Sequence, residues 1–216
     1  SANSTGNLTF TPLSDVNGAA VIIVTVEDGG LDKKLETTDD NATFSRTFQV
    51  TVGPVNNLPT IDLPGNRLIA EDAVEQIVSL TGISAGPNET QSLRVTATSN
   101  NTGLIPNPVV TYTTAEATGS LAFTPVADQF GTTTITVTVE DGGFDNSLAT
   151  ANDNASFNRT FNVIINKVND LPTLDAIADL SIAEDAGQQT VNLAGITAGV
   201  GESQLLRITA SSDQTG

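Results

Sequence analysis

The residues of this chain that could do chemistry are carboxylates, and they return in the same places. Asp15, Glu27, Asp28, Asp32, Asp62, Glu71, Asp72 and Glu89 reappear as Asp128, Glu140, Asp141, Asp145, Asp175, Glu184, Asp185 and Glu202. The shift is 113 residues each time (128−15, 141−28, 184−71). Charge needed only for solubility would not keep fixed positions. The acids gather where strands end and units join, not along strand faces. Calcium takes about six to eight oxygen ligands, and the converging loop ends of two adjacent domains can supply them.

The remaining composition narrows the chemistry. With no His and no Cys, zinc has no soft ligands and a Ser-His-Asp or Cys-His mechanism has no base. Eight Lys plus Arg against 25 Asp plus Glu leave a net charge of −17, so cations to neutralise nucleic acid or an anionic membrane are missing. Paired carboxylates also serve glycoside hydrolysis, which requires a sugar groove. No Trp, one Tyr and 4% aromatic residues mark no such groove. The chain is therefore read as no enzyme. A carbohydrate-binding module would need aromatic platforms that this composition barely offers, and an accessory domain of an enzyme is a third reading. Zero cysteines remove disulfides as staples and are compatible with export. No apolar run approaches the roughly 20 residues of a transmembrane helix, and no signal peptide opens the chain. Any address signals are expected outside it.

The elements that must position these acids repeat with them. Thr5-Gly6 returns as Thr118-Gly119, Glu27-Asp28-Gly29-Gly30 as Glu140-Asp141-Gly142-Gly143, and Ile69 to Ala73 as Ile182 to Ala186. A period of 113 residues is one Ig-sized domain and too long for a solenoid rung. Val21 to Val26 and Thr134 to Val139 alternate at period two, which predicts half-buried strands with Ile135, Val137 and Val139 facing a core. Phe157, Phe161, Val163 and Ile165 line one face of a following strand, matched by Phe44, Phe48, Val50 and Val52. Val78-Leu80, Leu93-Val95-Ala97 and Leu121-Phe123 give three more. No amphipathic helix of credible length competes. The expected class is all-β: tandem antiparallel Ig-like β-sandwiches. Arg46 and Arg159, on the faces of those phenylalanines, are expected to snorkel or to pair with a carboxylate at the sheet edge.

The phase of the repeat sets the expected domains: 1–57 the last part of one unit, 58–170 a full unit, 171–216 the first part of the next. Residues 104–113 have no counterpart in either partial copy. Half a sandwich exposes sheet edges and an apolar face, so the chain reads as a window on a longer array. The alternative is a filament or sheath segment, its partial domains completed by neighbouring molecules through strand exchange.

The run Val137-Thr-Val-Glu-Asp-Gly-Gly-Phe-Asp145, followed by Phe161-Asn-Val-Ile-Ile-Asn-Lys-Val-Asn-Asp-Leu-Pro172, resembles the end of a repeat in the cadherin-like domains of large bacterial surface adhesins. The resemblance spans the whole period. It implies an extracellular, cell-surface or secreted protein whose role is structural and adhesive: a calcium-stiffened rod whose partners are adjacent repeats and an adhesive ligand that the sequence does not identify. It also implies a ligand set. Glu71, Asp128, Asn169 and Asp170 would share a calcium cluster at the far junction of the full unit. Asp141 would join Asn56, Asn57 and Asp15 at the near junction, and Asp28 and Glu184 would serve junctions beyond. This sequence departs from the family in two ways. Its paired aspartates near the start of a repeat are reduced to Gly86-Pro87-Asn88-Glu89 and Gly199-Val200-Gly201-Glu202, and the first linker reads Asn56-Asn57 where the second reads Asn169-Asp170. Fewer carboxylates predict weak binding, with a dissociation constant of about 10⁻⁴–10⁻³ M.

Overall fold

The computed structural model describes residues 5–37 and 39–214. Among them all regular structure is β. Strands β1 (Gly18–Glu27) and β2 (Thr43–Val52) form an antiparallel hairpin that pairs with no other strand. Seven further strands follow: β3 (Arg67–Ala70), β4 (Gln76–Leu80), β5 (Leu93–Ser99), β6 (Val109–Thr111), β7 (Gly119–Phe123), β8 (Gly131–Asp141) and β9 (Ser156–Asn166). They build a four-stranded sheet, β3-β9-β8-β5, and a three-stranded sheet, β4-β7-β6. The chain is all-β, with a sandwich at its centre, as the period-two pattern predicts.

Alternation makes the core. Ile135, Val137 and Val139 are fully buried along β8, as are Phe161, Val163 and Ile165 along β9. They meet Val78, Leu80, Leu121 and Phe123 within a single buried cluster. Burying each such side chain contributes up to about 1.5–3 kcal/mol. Leu104 and Ile105, from the stretch without a counterpart, join the same core.

One pairing departs from the antiparallel expectation: β3 lies parallel to β9, from Arg67↔Val163 to Ala70↔Asn166. The chain crosses from one sheet to the other between β3 and β4, so its first strand can lie beside its last. The Glu71 amide, donating to the Asn166 carbonyl at 3.0 Å, carries the pairing one residue further. Arg159 pairs with no carboxylate but, of the two expected arrangements, keeps its side chain exposed: its guanidinium lies 4.7 Å above the Phe157 ring and its Nε donates to the Ile61 carbonyl at 3.4 Å. Arg46 repeats the stacking over Phe44 at 4.2 Å.

The end segments have the same design without its other half. β1 and β2 pair from Gly18↔Val52 to Glu27↔Thr43, the register of Gly131↔Ile165 to Glu140↔Ser156 between β8 and β9. Yet Val24 is 40% and Phe48 43% exposed, where their counterparts Val137 and Phe161 are 0% and 2%. After β9, the described residues form only an isolated bridge, Thr173↔Thr197, which repeats Thr60↔Ser84. The strands that residues 180–212 repeat are β3, β4 and β5, which hydrogen-bond to β9, β7 and β8. No such partners lie beside residues 180–212, and a backbone without a lateral partner forms no ladder.

Candidate functional site

The carboxylates collect at the two ends of the central sandwich. At the far end, Glu71 and Asp72 leave β3, Asp128 stands in the turn before β8, and Asp170 lies beyond β9. Asp128 adopts φ +57°, a left-handed turn conformation that Asp tolerates well, and Asp15, one period earlier, repeats it at +56°. The turn brings carboxylate oxygens of Asp72, Asp128 and Asp170 within 4.8 Å of one another. The Asp128 amide also donates to Asp72 Oδ1 at 3.4 Å.

Asp170 is the strained member of this group. Its Oδ2 is shut off from solvent and has no hydrogen-bond partner. Desolvation, followed by the charges of Asp128, Asp72, Glu202 and Glu71, pushes its carboxyl above the ordinary carboxylate value. The neighbouring cation, Lys167, turns elsewhere: its ammonium donates to the Gly201 carbonyl at 2.7 Å and lies 4.9 Å from the Phe130 ring. A hard divalent cation would relieve this repulsion and would match an all-oxygen donor set.

Glu71 does different work. It is 2% exposed, and its Oε1 accepts the Val168 amide at 2.7 Å, fastening the chain that leaves β9 to the end of β3. Asn169 turns its amide to Gln204, whose Nε2 donates to Asn169 Oδ1 at 2.8 Å. Of the four residues assigned to this junction, Asp128 and Asp170 thus lie in the three-carboxylate group. Glu71 adds charge beside it while holding the backbone, and Asn169 is engaged outside it.

The near end is a hydrogen-bonded knot. Asp141 is fully buried, and its Oδ1 accepts the amides of Gly143 and Ala155, both at 2.9 Å, and Asn56 Nδ2 at 3.1 Å. Its Oδ2 is buried without a partner. Gly143 permits the tight turn: at φ +58° a Cβ would stand 2.6 Å from the Asp153 carboxyl carbon. Asn56 also donates to the Asp153 carbonyl at 2.9 Å. Asn57 donates its backbone amide to both oxygens of Glu89, at 3.0 and 3.1 Å. Asp15 offers its carbonyl, not its carboxylate, to Asn88 Nδ2 at 2.9 Å. Asp141 and Asn56 are therefore in direct contact, whereas Asn57 and Asp15 are bonded to Glu89 and Asn88.

Asp28 repeats the Asp141 turn on the hairpin. Its Oδ1 accepts the amides of Gly30 and Ala42, which hold its carboxyl below the ordinary value. Glu184 stands exposed in a turn of the last segment. Two acids at the far junction fall outside the predicted ligand set. Asp72 is the second member of the Glu71-Asp72 pair, and Glu202 recurs in phase with Glu89, so the repeat itself held the signal for both.

No protein-family model matches the sequence, and no curated protein does. Among solved structures, the chain is similar to domains 4 and 5 of the S-layer protein SbsC, with a TM-score of 0.31 and 19% identity over 69% of this chain and 59% of that one. It is also similar to surface layer protein SbsC domains 1–6, with a TM-score of 0.33 and 15% identity over 85% of this chain and 21% of that one. For SbsC domains 4–9 the TM-score is 0.34 and the identity 16%, over 85% and 26% of the two chains. This chain thus spans less than two thirds of the length of each.

Proposed function

We propose that this chain is a structural segment of an extracellular surface protein, a rod of tandem β-sandwiches of the cadherin-like kind, whose junctions are braced by calcium. The observation that carries the calcium reading is Asp170. Its orphaned Oδ2 and raised pKa support the reading of a carboxylate placed against Asp72 and Asp128, with no salt-bridge partner among the described residues. The composition offers no His or Cys for a Ser-His-Asp or Cys-His pair and barely any aromatic platform for a sugar, which favours a mechanical role over a catalytic or lectin one. The near junction carries Asn57 where the far one carries Asp170, and Asn57 is already satisfied by Glu89. Calcium therefore belongs to the far junction first. Adhesion would be a property of whatever such a rod presents.

Isothermal calorimetry tests this directly. Calcium titrated into residues 1–216 should bind saturably with a dissociation constant of about 10⁻⁴–10⁻³ M, and Asp170→Ala should abolish the heat. Absence of binding in the parent up to several times that range, or identical binding in Asp170→Ala, would reject the site.

A further inference from the structure

The two junctions make an equivalent contact with different residues. In each, a loop of one unit (residues 86–89 or 199–202) is tied to the preceding unit's turn that holds Asp15 or Asp128. At the near junction the tie is direct: Asn88 Nδ2 donates to the Asp15 carbonyl at 2.9 Å. At the far junction it runs through the linker. The Lys167 ammonium donates to the Gly201 carbonyl at 2.7 Å and lies 4.9 Å from the ring of Phe130, two residues after Asp128. A charged donor on a carbonyl and a cation beside an aromatic face are both attractive.

The repeat shows that one tie substitutes for the other. One period relates Asn88 to Gly201, Pro54 to Lys167 and Asn17 to Phe130 (88+113, 54+113 and 17+113). Where the loop carries an amide, the linker carries a proline with no donor and the turn carries no ring. Where the loop carries a glycine, the linker supplies an ammonium and the turn an aromatic face. Differences at three separated positions thus compensate for one another around one contact. The backbone beneath them is unchanged: φ is +58° at Asn88 and +64° at Gly201, a left-handed conformation that Asn and Gly both accept. Both ties are complete, donor and acceptor alike, and neither uses an open strand edge.

We propose that each junction carries a metal-independent latch, which docks the loop of one unit on the Asp-bearing turn of the unit before it. Asn88 is the latch at the near junction, and Lys167 with Phe130 is the latch at the far one. A single contact of this kind fixes where the loop sits and leaves the angle between units to the acids beside it. It also commits Lys167 away from Asp72, Asp128 and Asp170. The proposal rests on the tandem-unit reading but not on calcium.

Electron paramagnetic resonance of residues 1–216 in EDTA decides it. The chain has no Cys, so pairs of introduced cysteines take nitroxide labels at chosen places. Labels at Ala127 and Val200 report the turn-to-loop distance at the far junction, and labels at Ser14 and Pro87 report it at the near one; all four positions are exposed. The parent should give one narrow distance at each junction. Lys167→Ala should lose it at the far junction alone, and Asn88→Gly at the near junction alone. Gly201→Asn added to Lys167→Ala should recover it, because a Cβ at that position meets no atom within 4 Å and the amide would take the Asp128 carbonyl as Asn88 takes that of Asp15. Recovery without the lysine separates the latch from the loss of a positive charge beside the acids. Thermal unfolding of the central sandwich should be unchanged in all three variants. Broad distances in the parent, a narrow distance that survives Lys167→Ala or Asn88→Gly, or a double variant that stays broad would each overturn the proposal. The calcium reading stands or falls on its own titration.

Discussion

The decisive residue is Asp170, and its counterpart Asn57 is a natural control. The same linker position carries an amide at one junction and an acid at the other, with opposite local consequences. Asn57 is paired with Glu89, whereas Asp170 faces four other acids. Asp170→Asn should therefore raise the melting temperature in EDTA at neutral pH and lower it relative to the parent in excess calcium. The sign with pH follows from the raised pKa. The folded state holds the Asp170 proton more tightly than the unfolded chain does. Its contribution is most favourable below the ordinary carboxylate value and is lost as pH rises through the raised folded value. In EDTA, the gap between Asp170→Asn and the parent should close as pH is lowered through that window, which a calorimetric pH series would show. Asp141 differs in its contacts: it is a buried carboxylate whose Oδ1 accepts three donors. Asp141→Ala should destabilise the sandwich by at least roughly 1–3 kcal/mol, because buried amides lose their acceptor, and denaturant unfolding would read it.

Among the elements, the strands were legible because period-two alternation is local. Ile135, Val137 and Val139 announce their inward face without reference to any partner. Lateral pairing is not local, which is why the parallel match of β3 with β9 was not legible. Arg159 shows the same boundary: its place on the phenylalanine face could be read from the pattern, but the Phe157 ring and Ile61 carbonyl that receive it depend on how the strands fold together. The metal group was legible in part for a related reason. Repetition flagged Asp72 and Glu202 as fixed in phase, yet only the turn at Asp128 decides which acids converge. The burial contrast between copies gives an element-scale prediction. Ile135→Ala, in the closed sheet, should cost about 2–5 kcal/mol. Its counterpart on the bare hairpin, Ile22→Ala, should leave the main thermal transition of the monomer within about 0.5 kcal/mol.

At the scale of the whole molecule, net charge and junction chemistry act together. A chain at −17 repels itself, and in the proposed rod the acids crowded at the far junction would concentrate that repulsion between units. Small-angle scattering should show a shorter, more bent chain in EDTA and a longer one in calcium, and identical curves would argue against bracing. The parallel pairing of β3 with β9 has a further consequence, and it is mechanical. In the proposed rod, tension would enter the central sandwich through the Thr60–Ser84 bridge and β3 and leave at the end of β9. Because these two strands run side by side in the same direction, such a load would fall on all of their hydrogen bonds at once, in shear, and would not unzip them one by one. Glu71 lengthens that clamp through its bonds to Asn166 and Val168. Among the seven strands, the first and the last form the clasp that must fail before the unit can yield.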